Sequence, residues 1–277
     1  MKSSTPQHLS NQGGKCLMNK FANIGQRLMM WVCVLFLCVL TAAAMPAAAE
    51  EKELYFSYTE LQLHADFDRE PLENDIWTAT FEHFSEWKYG DNFFFLDIEG
   101  KPSFKVEADT LYFEYAPRFS LNKIFDVRIL PGKYFGEVYA TVQYNDSDRD
   151  FINQVWLYGI SIDFAGQPNF GFSKVHFLVR KEKTQDVSYQ LTFAWGQPFR
   201  LGNWDFSFNG FLDYWKDDEK HVFLAEPQLR LPLSNFLGKD NFLSNASIGT
   251  EIEVSRNFFG KDYGWEVNPT IFISLLF

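Results

Sequence analysis

Apolar and polar residues alternate with period two along most of the chain beyond residue 50. In Glu60–Asp68 (ELQLHADFD), Leu61, Leu63, Ala65 and Phe67 share one face, and Glu60, Gln62, His64, Asp66 and Asp68 share the other. In Val187–Gly196, Val187, Tyr189, Leu191, Phe193 and Trp195 oppose Ser188, Gln190, Thr192, Ala194 and Gly196. In Asn245–Ser255, Ala246, Ile248, Thr250, Ile252 and Val254 oppose Asn245, Ser247, Gly249, Glu251, Glu253 and Ser255. Such alternation predicts strands with two unlike faces. Twelve segments carry it, at about 54–67, 75–87, 92–100, 109–119, 134–145, 154–165, 171–181, 186–197, 203–215, 221–232, 244–255 and 264–277. The longest uncharged run in this region, Val187–Phe199, has 13 residues. A spanning helix needs about 20 apolar residues, so none fits.

Alternation has two architectural solutions. A soluble sandwich turns its apolar face inward. A membrane barrel turns it toward lipid and leaves the polar face in the lumen. Tyr and Trp recur near segment ends, where a bilayer interface favours amphipathic rings. The last segment, Trp265–Phe277 (WEVNPTIFISLLF), ends on Phe277, with Ile271, Ile273, Leu275 and Phe277 on one face. That ending resembles the signal by which bacterial outer-membrane barrels are recognised for assembly. The fold class expected is therefore all-β, a transmembrane antiparallel β-barrel of about twelve strands. An even strand count places both termini in the periplasm with short turns there. The charged loops after odd-numbered strands then face outward. A charge on the lipid face costs about 2–4 kcal/mol at mid-membrane, which turns Asp97, Glu99, Glu114 and Arg118 inward.

Residues 1–49 do not share the pattern. They hold no Asp or Glu, carry Lys2, Lys15, Lys20 and Arg27, and continue into an apolar run from Leu28 to Leu40 and then TAAAMPAAA. A basic start, a short apolar stretch and an A-x-A ending predict a cleaved secretory signal peptide, with translation starting at Met1 or Met18. Residues 50–277 are then one barrel domain exported to the bacterial outer membrane. All three cysteines lie in the leader (Cys16, Cys33 and Cys38), so the exported part has no disulfide and no thiol chemistry. Losing four basic residues leaves 21 against 36 acidic ones and sharpens the net charge from −11 to −15. So acidic a chain argues against nucleic acid as a partner. On this reading the large aromatic content mostly faces lipid.

No catalytic or nucleotide-binding motif is present, and the histidines share no ligand spacing, so no enzyme activity, metal or cofactor is expected. An outer-membrane lipid enzyme would need a Ser/His pair on the wall, for which His64 and Ser85 qualify by residue type only. Two segments are more distinctive: Phe81–Gly100 (FEHFSEWKYGDNFFFLDIEG) and Leu111–Lys123 (LYFEYAPRFSLNK). Together with FAWGQPFRLGNWDFSFNGFLDYW they resemble the Tsx family of nucleoside channels, which includes the OmpK-type outer-membrane proteins. The resemblance implies a twelve-stranded monomeric barrel through which nucleosides and deoxynucleosides, or similar small solutes, diffuse passively. Its partners would be those solutes, outer-membrane lipid and the barrel-assembly machinery. Alternation gives the lumen-facing candidates: Glu82, Phe95, Asp97, Glu114, Arg118, Tyr139, Asp163, His176, Arg180, Asp213, Glu226 and Arg230, with Phe211 a second inward ring beside Phe95. Rings suit a base and carboxylates suit ribose hydroxyls. The alternative is a non-transporting barrel with a structural or surface-interaction role, its inward charges merely knitting the wall together.

Overall fold

The structure is a computed structural model that describes residues 54–69, 74–101, 108–149, 152–167, 171–217, 220–237, 241–258 and 264–277. The expected signal peptide lies outside the described residues. Fourteen strand pieces follow in chain order: β1 (Leu54–Arg69), β2 (Asn74–Trp87), β3 (Gly90–Gly100), β4 (Thr110–Tyr115), β5 (Arg118–Ser120), β6 (Phe135–Ser147) and β7 (Val155–Phe164), then β8 (Phe172–Lys181), β9 (Val187–Leu201), β10 (Trp204–Asp217), β11 (Lys220–Ala225), β12 (Gln228–Pro232), β13 (Ala246–Arg256) and β14 (Trp265–Leu276). All pair antiparallel with their neighbours, and β1 pairs β14 from Glu60↔Leu276 to Asp66↔Thr270, which closes the ring.

Fourteen pieces make twelve staves among the described residues. β4 and β5 form one stave, and β11 and β12 another, because a proline interrupts each. Pro117 and Pro227 have no N–H to give to a neighbour. The interruption breaks the ladder and leaves the register intact. Phe94↔Tyr115 before the first break and Gly90↔Phe119 after it lie on one diagonal, as do Leu212↔Ala225 and Asn209↔Gln228 at the second. Neighbours still use the freed groups: Thr141 Oγ1 donates to the Pro117 carbonyl at 2.7 Å and the Ile252 N–H to the Pro227 carbonyl at 3.1 Å.

Burial along the staves is the inverse of a soluble protein's. On β1, Leu61, Leu63 and Phe67 are exposed while Glu60, Gln62, His64 and Asp66 are buried; on β14, Ile271 and Ile273 are exposed while Asn268, Thr270, Phe272 and Ser274 are buried. Period-two geometry sends these two sets to opposite faces. An apolar outside and a polar inside are what a barrel standing in lipid requires. Leu63 sits near the middle of its stave, so Leu63→Arg is expected to destabilise the barrel by about 2–4 kcal/mol in bilayer refolding titrations. An unchanged titration midpoint would show that this face does not meet lipid.

The rim where β1 begins is also where β14 ends. Phe277 exchanges backbone hydrogen bonds with Thr59 there, and its ring is exposed. The β2–β3 connection at this rim is tight. Two others carry helices instead of turns: α1 (Leu121–Phe125), capped by the Ser120 hydroxyl on the Lys123 N–H at 3.1 Å, and α2 (Ser234–Leu237), followed by a 3-10 turn over Phe242–Asn245.

Candidate functional site: the barrel lumen

The inward faces bring polar side chains from every quarter of the wall into contact. Near the β2–β3 turn, Arg118 on β5 donates to both carboxylate oxygens of Asp91 at 2.8 and 2.6 Å, to Asp163 at 2.6 Å and to the Ser161 hydroxyl at 3.0 Å. Its guanidinium lies 4.1 Å from the Tyr139 ring centre. On the opposite side Arg230 bonds Glu60 at 2.5 Å and Gln228 at 2.9 and 2.6 Å, over the Phe272 ring. Arg69 spans two staves' worth of acid, with Glu99 at 3.2 Å and a closer contact to Glu253, while Arg149 also binds Glu99. Arg118 is buried and Arg69, Arg149 and Arg230 are half-buried, and each is paired, as charges withdrawn from water must be.

Between these clusters lies a cavity of about 100 Å³. At roughly 10–15 Å³ of such space per water, it holds several waters. Its carboxylates are Asp97, Glu99, Glu114, Asp213 and Glu226, and its rings include Phe95, Phe211 and Tyr112. Thr80 donates to Asp97 at 2.5 Å, Thr192 donates to Asp213, and Glu114 accepts from Tyr112 and from Asn145 Nδ2 at 2.8 Å. Arg180 enters from β8, bonded to Gln190 at 2.8 Å and Glu182 at 3.1 Å and stacked 4.8 Å from the Trp215 ring centre.

At the rim away from the chain ends, the interior turns apolar. Val155, Leu157 and Leu178 point inward and pack with Ile152 from the β6–β7 connection; Trp215, Val222 and Leu224 form a second cluster. Phe258, from the β13–β14 connection, packs against both, edge-on to Trp215. Not every ring takes the outer face. Inside this mouth rings and aliphatics plug the lumen, because neighbouring staves place apolar residues on both faces.

A family model described as "Domain of unknown function (DUF5020)" matches residues 59–277. The chain belongs to that family. No curated protein matches it. Among solved structures it is similar to a KdgM porin in complex with disordered oligogalacturonate, with 7% identity and a TM-score of 0.48 over 79% of this chain and 98% of that one. It is also similar to the outer-membrane protein Omp33 of Acinetobacter baumannii (10% identity, TM-score 0.37, 82% and 100% coverage) and to OccK11 of Pseudomonas aeruginosa (8%, 0.31, 79% and 95%).

On this DUF5020 barrel the twelve sequence-derived lumen residues divide into two groups. Phe95, Asp97, Glu114, Arg180, Asp213 and Glu226 line one cavity. The other six lie elsewhere on the inner wall. Arg118, Tyr139 and Asp163 form the cluster at the β2–β3 turn, and Arg230 is bound to Glu60. Glu82 accepts from the Tyr58 hydroxyl at 2.8 Å, and His176 shares a hydrogen bond with Gln143 at 3.2 Å. Sequence reasoning missed Arg69 and Arg149, which sit in charged stretches that read as loop, and Asn145 and Trp215, which reach the cavity from the wall. His64 and Ser85 are not brought together. Ser85 stands opposite Ser57, seven residues from His64 along β1, or about 23 Å.

Proposed function

We propose that this barrel is a channel of the bacterial outer membrane for passive diffusion of small polar solutes, with nucleosides and deoxynucleosides as the substrate class. The observation that carries it is the inverted wall around a charged cavity with room for several waters. A barrel needed only as a wall anchor has no use for half-buried inward carboxylates that make no ion pair among the described residues. The substrate class rests on the resemblance to nucleoside channels and on Phe95 and Phe211 standing beside Asp97, Glu114 and Asp213. Ring faces take a base, and carboxylates take ribose hydroxyls. Binding stays weak enough for release, as conduction demands. In this reading residues 1–49 direct export and are removed, Phe277 serves assembly, the rim holding the chain ends is periplasmic, and the barrel works as a monomer without cofactor.

Purified protein in planar bilayers is expected to conduct. Adding uridine or adenosine is expected to reduce the current in a saturable way, while a hexose leaves it unchanged. Equal block by both solutes would remove the nucleoside assignment and leave a general channel.

The apolar plug and the small cavity favour a second reading, a non-transporting barrel with a structural or surface role. It predicts no current under any of these conditions.

A further inference from the structure

The cavity's carboxylates come from opposing walls. Asp97 on β3 and Asp213 on β10 are separated by five staves in either direction around the ring. Glu114 on β4 and Glu226 at the β11–β12 break are likewise five staves apart both ways. Four acids thus face one another across the lumen in two crossed pairs. None of the four is ion-paired among the described residues. The cavity's three cations are already engaged: Arg69 with Glu99 and Glu253, Arg149 with Glu99, and Arg180 with Glu182. The three cations share the cavity with the four acids but make their contact ion pairs elsewhere.

A second observation points to an occupant. Asn145 and Arg180 are only 6% and 5% exposed and both line the cavity, yet Asn145 Oδ1 and Arg180 Nε have no hydrogen-bond partner among the described residues. An orphaned buried acceptor and donor cost free energy unless something in the cavity meets them. A hydrated cation meets the acceptors: its shell waters donate to Asn145 Oδ1 and the carboxylates, while a separate water of the cavity accepts from Arg180 Nε. Among the described residues no three acidic or histidine side chains converge closely enough to chelate an ion. Spread acids attract a cation without trapping it, which suits passage.

We propose that Asp97, Glu114, Asp213 and Glu226 form a cation filter, so that the lumen passes small hydrated cations such as K⁺ and rejects anions. The proposal rests on the channel reading and adds its charge selectivity. A ring of acidic side chains at a constriction raises the local concentration of cations and lowers that of anions.

The test is the zero-current potential of the full-length barrel in planar bilayers across a KCl gradient at pH 8. K⁺ is expected to be favoured over Cl⁻ by about 10-fold or more, the lower end of what focused charge produces. The combined variant Asp97→Asn, Glu114→Gln, Asp213→Asn is expected to bring the ratio close to one, while Asp205→Asn, at an exposed carboxylate on the rim, leaves it unchanged. If the combined variant fails to fold, Asp213→Asn alone must still lower the ratio. Current with no cation preference, or a preference that survives these substitutions, overturns the filter and leaves the channel. Absence of current, even after the apolar plug is loosened, overturns both.

Discussion

Replacing Arg118 with alanine is expected to destabilise the barrel by about 3–5 kcal/mol, the cost of leaving buried charge without its partner. Asp91 and Arg118 are 4% and 5% exposed, so water cannot take over from the guanidinium. Four hydrogen bonds vanish together, to both oxygens of Asp91, to Asp163 and to Ser161, and two carboxylates are left facing each other. The site is also where β5 is shortest and the Pro117 break weakens the ladder, so the ion cluster holds together what backbone pairing does not. Arg118→Lys keeps the charge and loses the fork that grips Asp91 at two points, and is expected to fall between the wild type and alanine. The measurement is the urea midpoint of folding into lipid vesicles. A shift of less than about 1 kcal/mol for Arg118→Ala, the size of an exposed pair, would show that the cluster is solvated in the membrane-bound protein.

The cluster also shows how far the sequence reaches. Arg118 could be turned inward from alternation alone, because lipid makes the outward position of a charge too costly and period two leaves no third choice. The same rule placed Asp97, Glu114 and Asp213. Strand number and register were legible for this reason: water inside and lipid outside make both faces specific. The partners of Arg118 were not legible. Asp91 reads as a turn residue in Gly90-Asp91-Asn92, and Asp163 reaches the guanidinium only because β7 stands next to β6, two staves from Arg118's own β5. The apolar mouth was hidden for a different reason. In Val155–Ile162 (VWLYGISI) both faces are apolar in the first turns of the pleat, so Val155 and Leu157 carry no signal separating them from Trp156 and Tyr158. Ile152 and Phe258 lie in connections dominated by charge, NDSDRDF and RNFFGKDYG in their surroundings, and only tertiary packing sends them inward.

That plug yields the second large effect. The double variant Ile152→Ser, Phe258→Ser is expected to raise the open fraction of the barrel, and with it the mean current, well above the wild type's. The two side chains come from different connections: Ile152 packs on Val155, Leu157 and Leu178, and Phe258 packs against both that cluster and Trp215, Val222 and Leu224, so side chains from two loops complete the apolar mouth that the staves begin. An apolar constriction excludes water when it is narrow, and ions do not cross a dry segment. Serine shortens both side chains and supplies hydroxyls that water can bond, which opens the gap and wets it. Neither residue belongs to a strand, so the closed ladder that holds the barrel is untouched and folding is expected to survive. The readout is the open fraction in single-molecule bilayer recordings. Substituting the outward pair Trp156 and Tyr158 on β7 as a control is expected to leave it unchanged. If the open fraction of the loop variant equals the wild type's, the limiting constriction lies deeper, at the paired charges between Arg69 and Glu253.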